Sequence, residues 1–262
     1  MARAVSRPSS AAFVLHSHDW SESSLILDLF TRDQGRVVAV AKGAKRPYSQ
    51  LRPVLMPFQR LHVGFGLKRS DDAEVWLLRQ AEWAGGAAWP GGAALLPGFY
   101  LNELLMRLLA RHDPHPGLFD AYAQTLQALA DPGLLQAALR GFEMVLLRQL
   151  GHLPDLAHLT VSGREVERGQ AYGVHPELGV VHDGAHADLA CLDGGVLRQL
   201  EQALSTEGEG GRTILVSAMA PLMAACLPAL SELKSTLRAL LHYHLGSHTL
   251  RTRQLMMELQ QA

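Results

Sequence analysis

The stretch SSLILDLFTRDQGRVVAVA (residues 23–41) decides the fold of the first third of this chain. Large apolar residues dominate 23–30, the segment TRDQG (31–35) has the composition of a turn, and RVVAVA (36–41) is strongly β-branched. Two such runs joined by a short loop that contains Asp and Gly predict a β-hairpin.

Three further strands are predicted around this hairpin. Residues 12–16 form a short apolar run, 59–65 alternate apolar and polar residues with a period of two, and 74–78 read EVWLL. Short strands this close together favour a closed barrel, because closure removes exposed sheet edges. We therefore predict a five-stranded OB-type β-barrel, a fold that commonly binds single-stranded nucleic acid.

Positive charge is concentrated in the same region. Residues 1–69 contain eleven Lys and Arg but four Asp and Glu, which gives a net charge of +7. The whole chain of 262 residues has a net charge of −1, so residues 70–262 carry −8. This asymmetry favours a polyanionic partner for the N-terminal region.

The strongest local signal is KGAKRPYSQLR (residues 42–52), which we call the basic segment. It contains no acidic residue, and Tyr48 lies among its cations. Clustered cations release counterions from phosphates, and an aromatic ring can stack on an unpaired base. A solvated loop without a ligand is the alternative interpretation. The predicted DNA-contacting residues are Arg36, Lys42, Lys45, Arg46, Tyr48, Arg52, Lys68 and Arg69.

The rest of the chain has helical periodicity. Apolar residues recur at helical spacing over 95–111, where Asn102 falls off the apolar stripe, and over 118–130 and 134–150. Short loops between these helices predict a compact bundle. The Gly-rich stretch GGAAWPGGA (85–93) is the predicted linker. The fold class is thus α+β, with an OB-fold domain over 1–84, a linker over 85–93 and a helical domain over 94–262.

Two further helices are predicted in the C-terminal third. Residues 194–205 place Leu197, Leu200 and Leu204 on one face. Residues 231–245 form a longer helix, for which Ser231 is the predicted N-cap.

Several ordered stretches resemble the RecO family of DNA repair proteins, most of all its proteobacterial branch. They are FVLHSHDWSESSLILDLFT (13–31), GRVVAVAKGAKR (35–46), GFYLNELLMRLL (98–109) and ALRGFEMVLLRQLG (138–151). The resemblance implies an OB-fold head and a helical body, binding of single- and double-stranded DNA, and annealing of complementary strands. It also implies that the protein engages single-stranded-DNA-binding protein (SSB) and RecR, and helps RecA to replace SSB on gapped DNA, without a catalytic reaction of its own.

The same resemblance points to a groove for the acidic, Phe-ended tail of SSB, formed in part by the helix over 134–150. An arginine such as Arg140 is suited to grip a terminal carboxylate, and Arg107, Phe142 and Arg148 are further candidates. The alternative for Arg140 is an ion pair on the helix surface with Glu143, one turn away.

Many members of that family carry a four-cysteine zinc module after the central helices. Here HLTVSGRE (158–165) has Leu159 and Ser162 at the positions of a CxxC pair, and the second pair falls in VHDGAH (181–186). A structural zinc needs four N or S ligands, so we expect no metal and no cofactor. We expect a loop-rich, zinc-less segment over about 155–190, packed by Leu178, Val180 and Val181. A replacement set is the alternative: His158, His175, His182 and His186.

Other classes of protein are disfavoured by the sequence. It contains no GxxxxGK[ST], nucleophile elbow or HExxH, so we do not expect an enzyme. No run approaches the ~18 apolar residues of a membrane span. Cys191 and Cys226 do not make a disulfide framework, so we expect a bacterial cytoplasmic protein that joins the nucleoid during repair. A non-catalytic scaffold whose barrel binds protein rather than DNA is the competing interpretation.

Overall fold

The computed structural model describes residues 9–66, 75–86, 91–182, 189–207, 213–215, 219–246 and 250–261. Its contacts divide the chain into two compact units, Met1–Gln127 and Ala128–Ala262.

The first unit begins with five strands. They are β1 (Ser10–Asp19), β2 (Leu25–Thr31), β3 (Gly35–Ala41), β4 (Arg60–Phe65) and β5 (Val75–Trp83). Their order is β1-β2-β3-β5-β4, and β4 pairs with β1 to close the barrel. The β3–β5 pair is parallel and the other four pairs are antiparallel. The predicted five-stranded OB-type barrel is confirmed.

The barrel interior is a continuous apolar core to which every strand contributes. Alternation along each strand turns one set of side chains inward, as the period of two predicts. Among them are Val14, Leu27, Val37, Leu61 and Trp76.

Two helices cover the outside of β1 and β2. They are α1 (Leu95–Leu108), which follows a short 3-10 turn, and α2 (Pro116–Ala128). Phe13 of β1 and Phe30 of β2 pack on Phe119 of α2, with ring centroids 5.1 and 5.4 Å apart. The outer face of the β1–β2 pair therefore forms a second apolar layer, between the barrel and the two helices.

A buried polar chain fastens the helices to the barrel. The Asn102 amide donates to the Leu15 carbonyl at 2.9 Å, and the Tyr122 hydroxyl donates to the Asn102 side-chain oxygen at 2.5 Å. Asn102 lies off the apolar stripe but is buried, because it satisfies a strand carbonyl that would otherwise lack a partner in this layer.

Helix α1 ends three residues earlier than its apolar pattern predicts, at Leu108. Arg36 donates to the Met106 carbonyl at 2.8 Å, which satisfies one of the carbonyls left free at a helix C-terminus. Because α1 and α2 pack on the barrel, they belong to the first compact unit, which ends at Gln127. The predicted domain limits, 1–84 and 94–262, place these two helices in the helical domain and stay a prediction.

The second unit is mainly helical. Its helices are α3 (Leu135–Gln149), α4 (Gly194–Leu204), α5 (Met219–Cys226), α6 (Leu230–Leu245) and α7 (Arg251–Gln261). Helix α3 packs against α5 and α6, and α4 packs against α5. Asp193 caps α4 by accepting from the Gly195 amide, and the inward face predicted for α4 is buried. Helix α6 begins at Leu230, so Ser231 lies inside it and is not the N-cap.

The segment predicted as loop-rich contains strands. β6 (Ala171–His175), β7 (Gly179–His182) and β8 (Leu192–Asp193) form a sheet in the order β7-β6-β8. Val180 is buried as predicted, but Leu178 lies in the turn between β6 and β7 and is exposed. A further pair, β9 (Ser205–Glu207) with β10 (Thr213–Leu215), follows α4. No helix within the described residues is both long and apolar enough to cross a bilayer.

Candidate nucleic-acid interface

The basic segment is an ordered series of turns at the end of β3. Backbone amides bond to carbonyls three residues earlier, from Arg46 to Gly43 at 3.1 Å, from Ser49 to Arg46 at 3.0 Å and from Arg52 to Ser49 at 3.3 Å. A positive φ of 73° at Gly43 starts this series.

Apolar residues anchor the basic segment to the barrel. Ala44 and Leu55 are part of the barrel core, and Leu51 and Val54 pack against it. Since these side chains point inward, the polar residues between them point to solvent.

Four of the predicted DNA contacts are exposed here: Lys42, Arg46, Tyr48 and Arg52. Tyr48 is 95% exposed, an unusual position for a large aromatic side chain. Tyr48 and Arg52 also line a cavity of about 550 Å³, together with Met56 and the two prolines Pro47 and Pro53. The segment thus offers exposed cations beside an open surface with partly apolar walls.

Lys45 differs from its neighbours because a carboxylate faces it. Its ammonium lies 3.0 Å from the Asp19 carboxylate and donates to the Ser21 carbonyl at 3.2 Å. Asp19 is well exposed, so the pair is weak, and a phosphate can compete for the lysine.

Arg36 is not part of this surface. Its side chain is 16% exposed, bonds to Met106 and lies 3.9 Å from Asp28. Burial, opposed by the charge of Asp28, lowers the pKa of its guanidinium. The prediction of Arg36 as a DNA contact is at odds with this placement, because side-chain direction on a strand decides exposure and Arg36 turns toward α1. Lys68 and Arg69 lie outside the described residues.

Arg140 of α3 lies in a buried ion pair. It donates to Glu143 at 2.8 Å; Arg140 is 7% exposed and Glu143 is fully buried. The alternative of a surface ion pair is therefore wrong in its location, because α5 covers this part of α3. Burial raises the pKa of the adjacent Cys226 thiol to about 12, with Arg140 lowering it and Glu143 raising it.

The other candidates for an SSB groove are in different surroundings. Phe142 is fully buried, and Arg107 is exposed on α1 of the first unit. Arg148 makes two bonds to Glu201, at 2.8 and 2.6 Å, and one to the Pro154 carbonyl at 3.0 Å. Three of the four candidates share α3, but the structure leaves neither Phe142 nor Arg148 open on its surface.

Comparisons with known proteins agree with this architecture. Family models match almost the whole chain: "Recombination protein O N terminal" covers residues 6–86 and "Recombination protein O C terminal" covers residues 92–254. The chain belongs to the RecO family of DNA repair proteins.

Individual relatives resemble the chain over nearly its full length. It is 51% identical to the DNA repair protein RecO of Polaromonas naphthalenivorans over 253 residues, which cover 95% of both chains. It is also 51% identical to that of a second Polaromonas species over the same share of each chain, and 48% identical to that of Albidiferax ferrireducens over 95% of this chain and 94% of the relative.

The histidines suggested as a replacement zinc set have separate surroundings. His158 bonds to Asp155 at 2.9 Å, His175 accepts from the amides of Glu177 and Leu178, and the His182 ring lies against Tyr172. His186 falls outside the described residues. Within the part of the chain that is described, no three His, Cys, Asp or Glu side chains form a group able to hold a metal ion.

Sequence reasoning missed one exposed aromatic residue near the basic segment. Trp20 lies in the turn between β1 and β2 and is 64% exposed. The signal in the sequence is a tryptophan among polar residues in HDWSES (18–23), between the first two predicted strands.

Proposed function

We propose that this RecO-family protein is a DNA-binding recombination mediator that anneals complementary single strands and, together with RecR, helps RecA to replace SSB on gapped DNA. The observation that carries the proposal is the basic segment, which projects Lys42, Arg46, Tyr48 and Arg52 from the end of an OB-type barrel.

The chemistry of the segment suits unpaired strands. The three cations neutralise phosphates and release counterions, which needs no particular base sequence. Tyr48 stacks on an unpaired base, and the open cavity beside it accommodates that base. Annealing then follows, because two neutralised strands approach each other and base pairing supplies the specificity. The same phosphate contacts account for binding of double-stranded DNA.

A salt titration tests DNA binding by this surface. The variant Lys42→Glu/Arg46→Glu is compared with Lys234→Glu/Arg238→Glu, which makes the same charge change at two exposed positions of α6. Binding of a fluorescent single-stranded oligonucleotide is measured over a range of salt concentrations. Loss of two phosphate contacts reduces the slope of log K against log salt by about 1.4, at roughly 0.7 per contact for single strands.

Two results speak against the proposal. If the basic-segment variant binds and anneals DNA as the parent does, the basic segment is not the DNA-binding site. The interpretation as a scaffold whose barrel binds protein is then favoured. If the α6 variant has the same effect, the loss reflects net charge rather than this surface.

We also propose that Arg140 is the anchor for the SSB tail. The pair with Glu143 uses one of its terminal nitrogens, and its Nε has no hydrogen-bond acceptor among the described residues. A terminal carboxylate arriving at α3 would exchange with Glu143 for the guanidinium, since an arginine can bind a carboxylate through two parallel hydrogen bonds.

Annealing of SSB-coated and naked strands separates docking from DNA binding. Arg140→Ala should lose annealing on SSB-coated strands and keep it on naked strands, whereas Glu143→Gln, which leaves the arginine in place, should retain both. Circular dichroism melting confirms that each variant is folded, because loss of one partner of a buried pair also destabilises the helix packing. Equal loss on naked strands would refute the docking role.

A further inference from the structure

We propose that Trp20 is a stacking platform for an unpaired nucleobase, placed beside the basic segment and separate from Tyr48. This inference rests on the proposed binding of single-stranded DNA and adds a second base-binding subsite to it.

Topology puts Trp20 at the end of the barrel that carries the basic segment. Strands β1, β2 and β3 alternate in direction, so the connections after β1 and after β3 leave the same end of the sheet. Leu25 of β2 pairs with both Asp19 and Ala41, the last residues of β1 and β3. Trp20 follows directly after Asp19, as Lys42 follows after Ala41.

Direct bonds join the two connections. The Lys45 amide donates to the Ser23 carbonyl at 3.0 Å, and the Lys45 ammonium donates to the Ser21 carbonyl at 3.2 Å. Lys45 thus holds the β1–β2 turn against the basic segment by both its backbone and its side chain.

The turn that carries Trp20 is ordered. The Trp20 amide donates to the Ser24 carbonyl at 3.1 Å, and Ser24 itself is buried. A fixed backbone presents the indole in one region of space, so little conformational entropy is lost when a base stacks on it.

The charges of this turn indicate bases rather than phosphates as its ligand. Asp19 and Glu22 flank Trp20 and repel a phosphate, whereas the face of an indole attracts any nucleobase. The two connections therefore bind different parts of the DNA. The basic segment binds the sugar-phosphate backbone, and the β1–β2 turn binds a base that points away from that backbone.

Trp83 provides a matched control. It is also 64% exposed, but it lies at the end of β5 beside Leu61 of β4, away from the β1–β2 turn. Replacement of either side chain removes the same amount of exposed indole, so only position distinguishes the two variants.

The experiment measures binding of oligodeoxythymidylate and of an abasic oligonucleotide of equal length. Trp20→Ala should weaken binding of oligodeoxythymidylate roughly 10-fold, within the range measured for single stacked bases. The loss should disappear on the abasic strand, Trp20→Phe should restore most of the affinity, and Trp83→Ala should bind as the parent does. The salt slope should stay unchanged in Trp20→Ala, because stacking releases no counterions.

Each other result counts against the inference. Parental binding by Trp20→Ala, or an equal loss on abasic DNA, overturns the stacking role while the proposed function stands, provided that Lys42→Glu/Arg46→Glu still flattens the salt slope. If the basic-segment variant also binds as the parent does, the proposed function itself fails. Melting curves of the variants show whether an affinity change reflects unfolding.

Discussion

Arg36 and Lys42 lie six residues apart, yet their side chains have different surroundings. Arg36 is half-buried against α1, and Lys42 is exposed at the start of the basic segment. Alternation along a strand would put residues six apart on the same face, so the difference comes from α1, whose Met106 carbonyl accepts a hydrogen bond from Arg36.

We expect Arg36→Gln to destabilise the protein without changing how DNA binding depends on salt. It removes a hydrogen bond from a charged donor, which costs about 1–3 kcal/mol. Lys42→Gln should lower the salt slope by about 0.7 and leave stability nearly unchanged. Urea unfolding and binding titrations at several salt concentrations measure both quantities. A reduced slope in Arg36→Gln would contradict its assignment as a structural residue.

The carboxylate of Asp19 limits how much Lys45 contributes to DNA affinity. Asp19→Asn should raise DNA affinity several-fold at low salt, because it removes the carboxylate 3.0 Å from the ammonium. The gain should fade at high salt, where exposed charges are screened. Asp33→Asn is the control, since Asp33 lies in the turn between β2 and β3 at the other end of these strands. An equal gain from both variants would show a general effect of net charge.

At the scale of elements, the β2–β3 hairpin was predictable because its signals are local. Apolar β-branched runs and a turn with Gly35 occur within twenty residues, and the structure pairs Leu25 with Ala41 and Thr31 with Gly35. The sheet β7-β6-β8 escaped prediction because its strands are short and its third strand comes from residues 192–193. Pairing between distant short segments leaves no periodic pattern to detect.

Gly35 fixes the β2–β3 turn against the segment that follows α1. Its φ is 65°, and a Cβ there would lie 2.0 Å from the Asp113 carbonyl oxygen. Gly35→Ala should therefore destabilise the protein by roughly 2–5 kcal/mol, since backbone strain and overpacking add.

Gly85 separates those two causes. It has a φ of 75°, but no atom of the described residues lies within 4 Å of its Cβ position. Gly85→Ala should cost about 1–2 kcal/mol, the strain of the left-handed conformation alone. The difference between the two variants in the free energy of unfolding, measured in urea, gives the cost of the close contact with Asp113. Equal losses would mean that the backbone at Asp113 moves aside at little cost.

At the scale of the whole molecule, the uneven distribution of charge was the most useful sequence signal. It placed the candidate interface on the barrel, although it could not show that Asp19 faces Lys45 or that Arg36 is half-buried and bonded to α1. The buried Arg140–Glu143 pair was equally hidden, because helical spacing places the two residues together without saying what covers them.

Glu201 is one group that makes the stability of the second unit sensitive to acid. Burial raises the pKa of its carboxyl, but hydrogen bonds from Arg148 and the Leu156 amide, with the charge of Arg148, bring it below the ordinary value of 4.5. A lowered pKa in the folded state means stabilisation that is complete above the ordinary value and is lost as the pH falls through the lowered one.

We expect Glu201→Gln to lower the free energy of unfolding by about 1–3 kcal/mol at neutral pH. The difference from the parent should shrink below roughly pH 4, where the parent carboxyl also becomes neutral. Urea unfolding at several pH values measures it, with Glu258→Gln on the exposed face of α7 as the control. A difference that stays constant with pH would assign the loss to packing.

The closure of the barrel also constrains how the chain is made. β5 lies between β3 and β4, and β4 pairs with β1, so the first three strands cannot complete the ring by themselves. While the ribosome is still synthesising the chain, β4 can pair with β1, but β3 and β4 each keep one row of backbone groups unpaired until β5, which ends at Trp83, has left the exit tunnel. During that interval the nascent chain offers two edges to other nascent chains, a hazard that ends when the fifth strand is inserted.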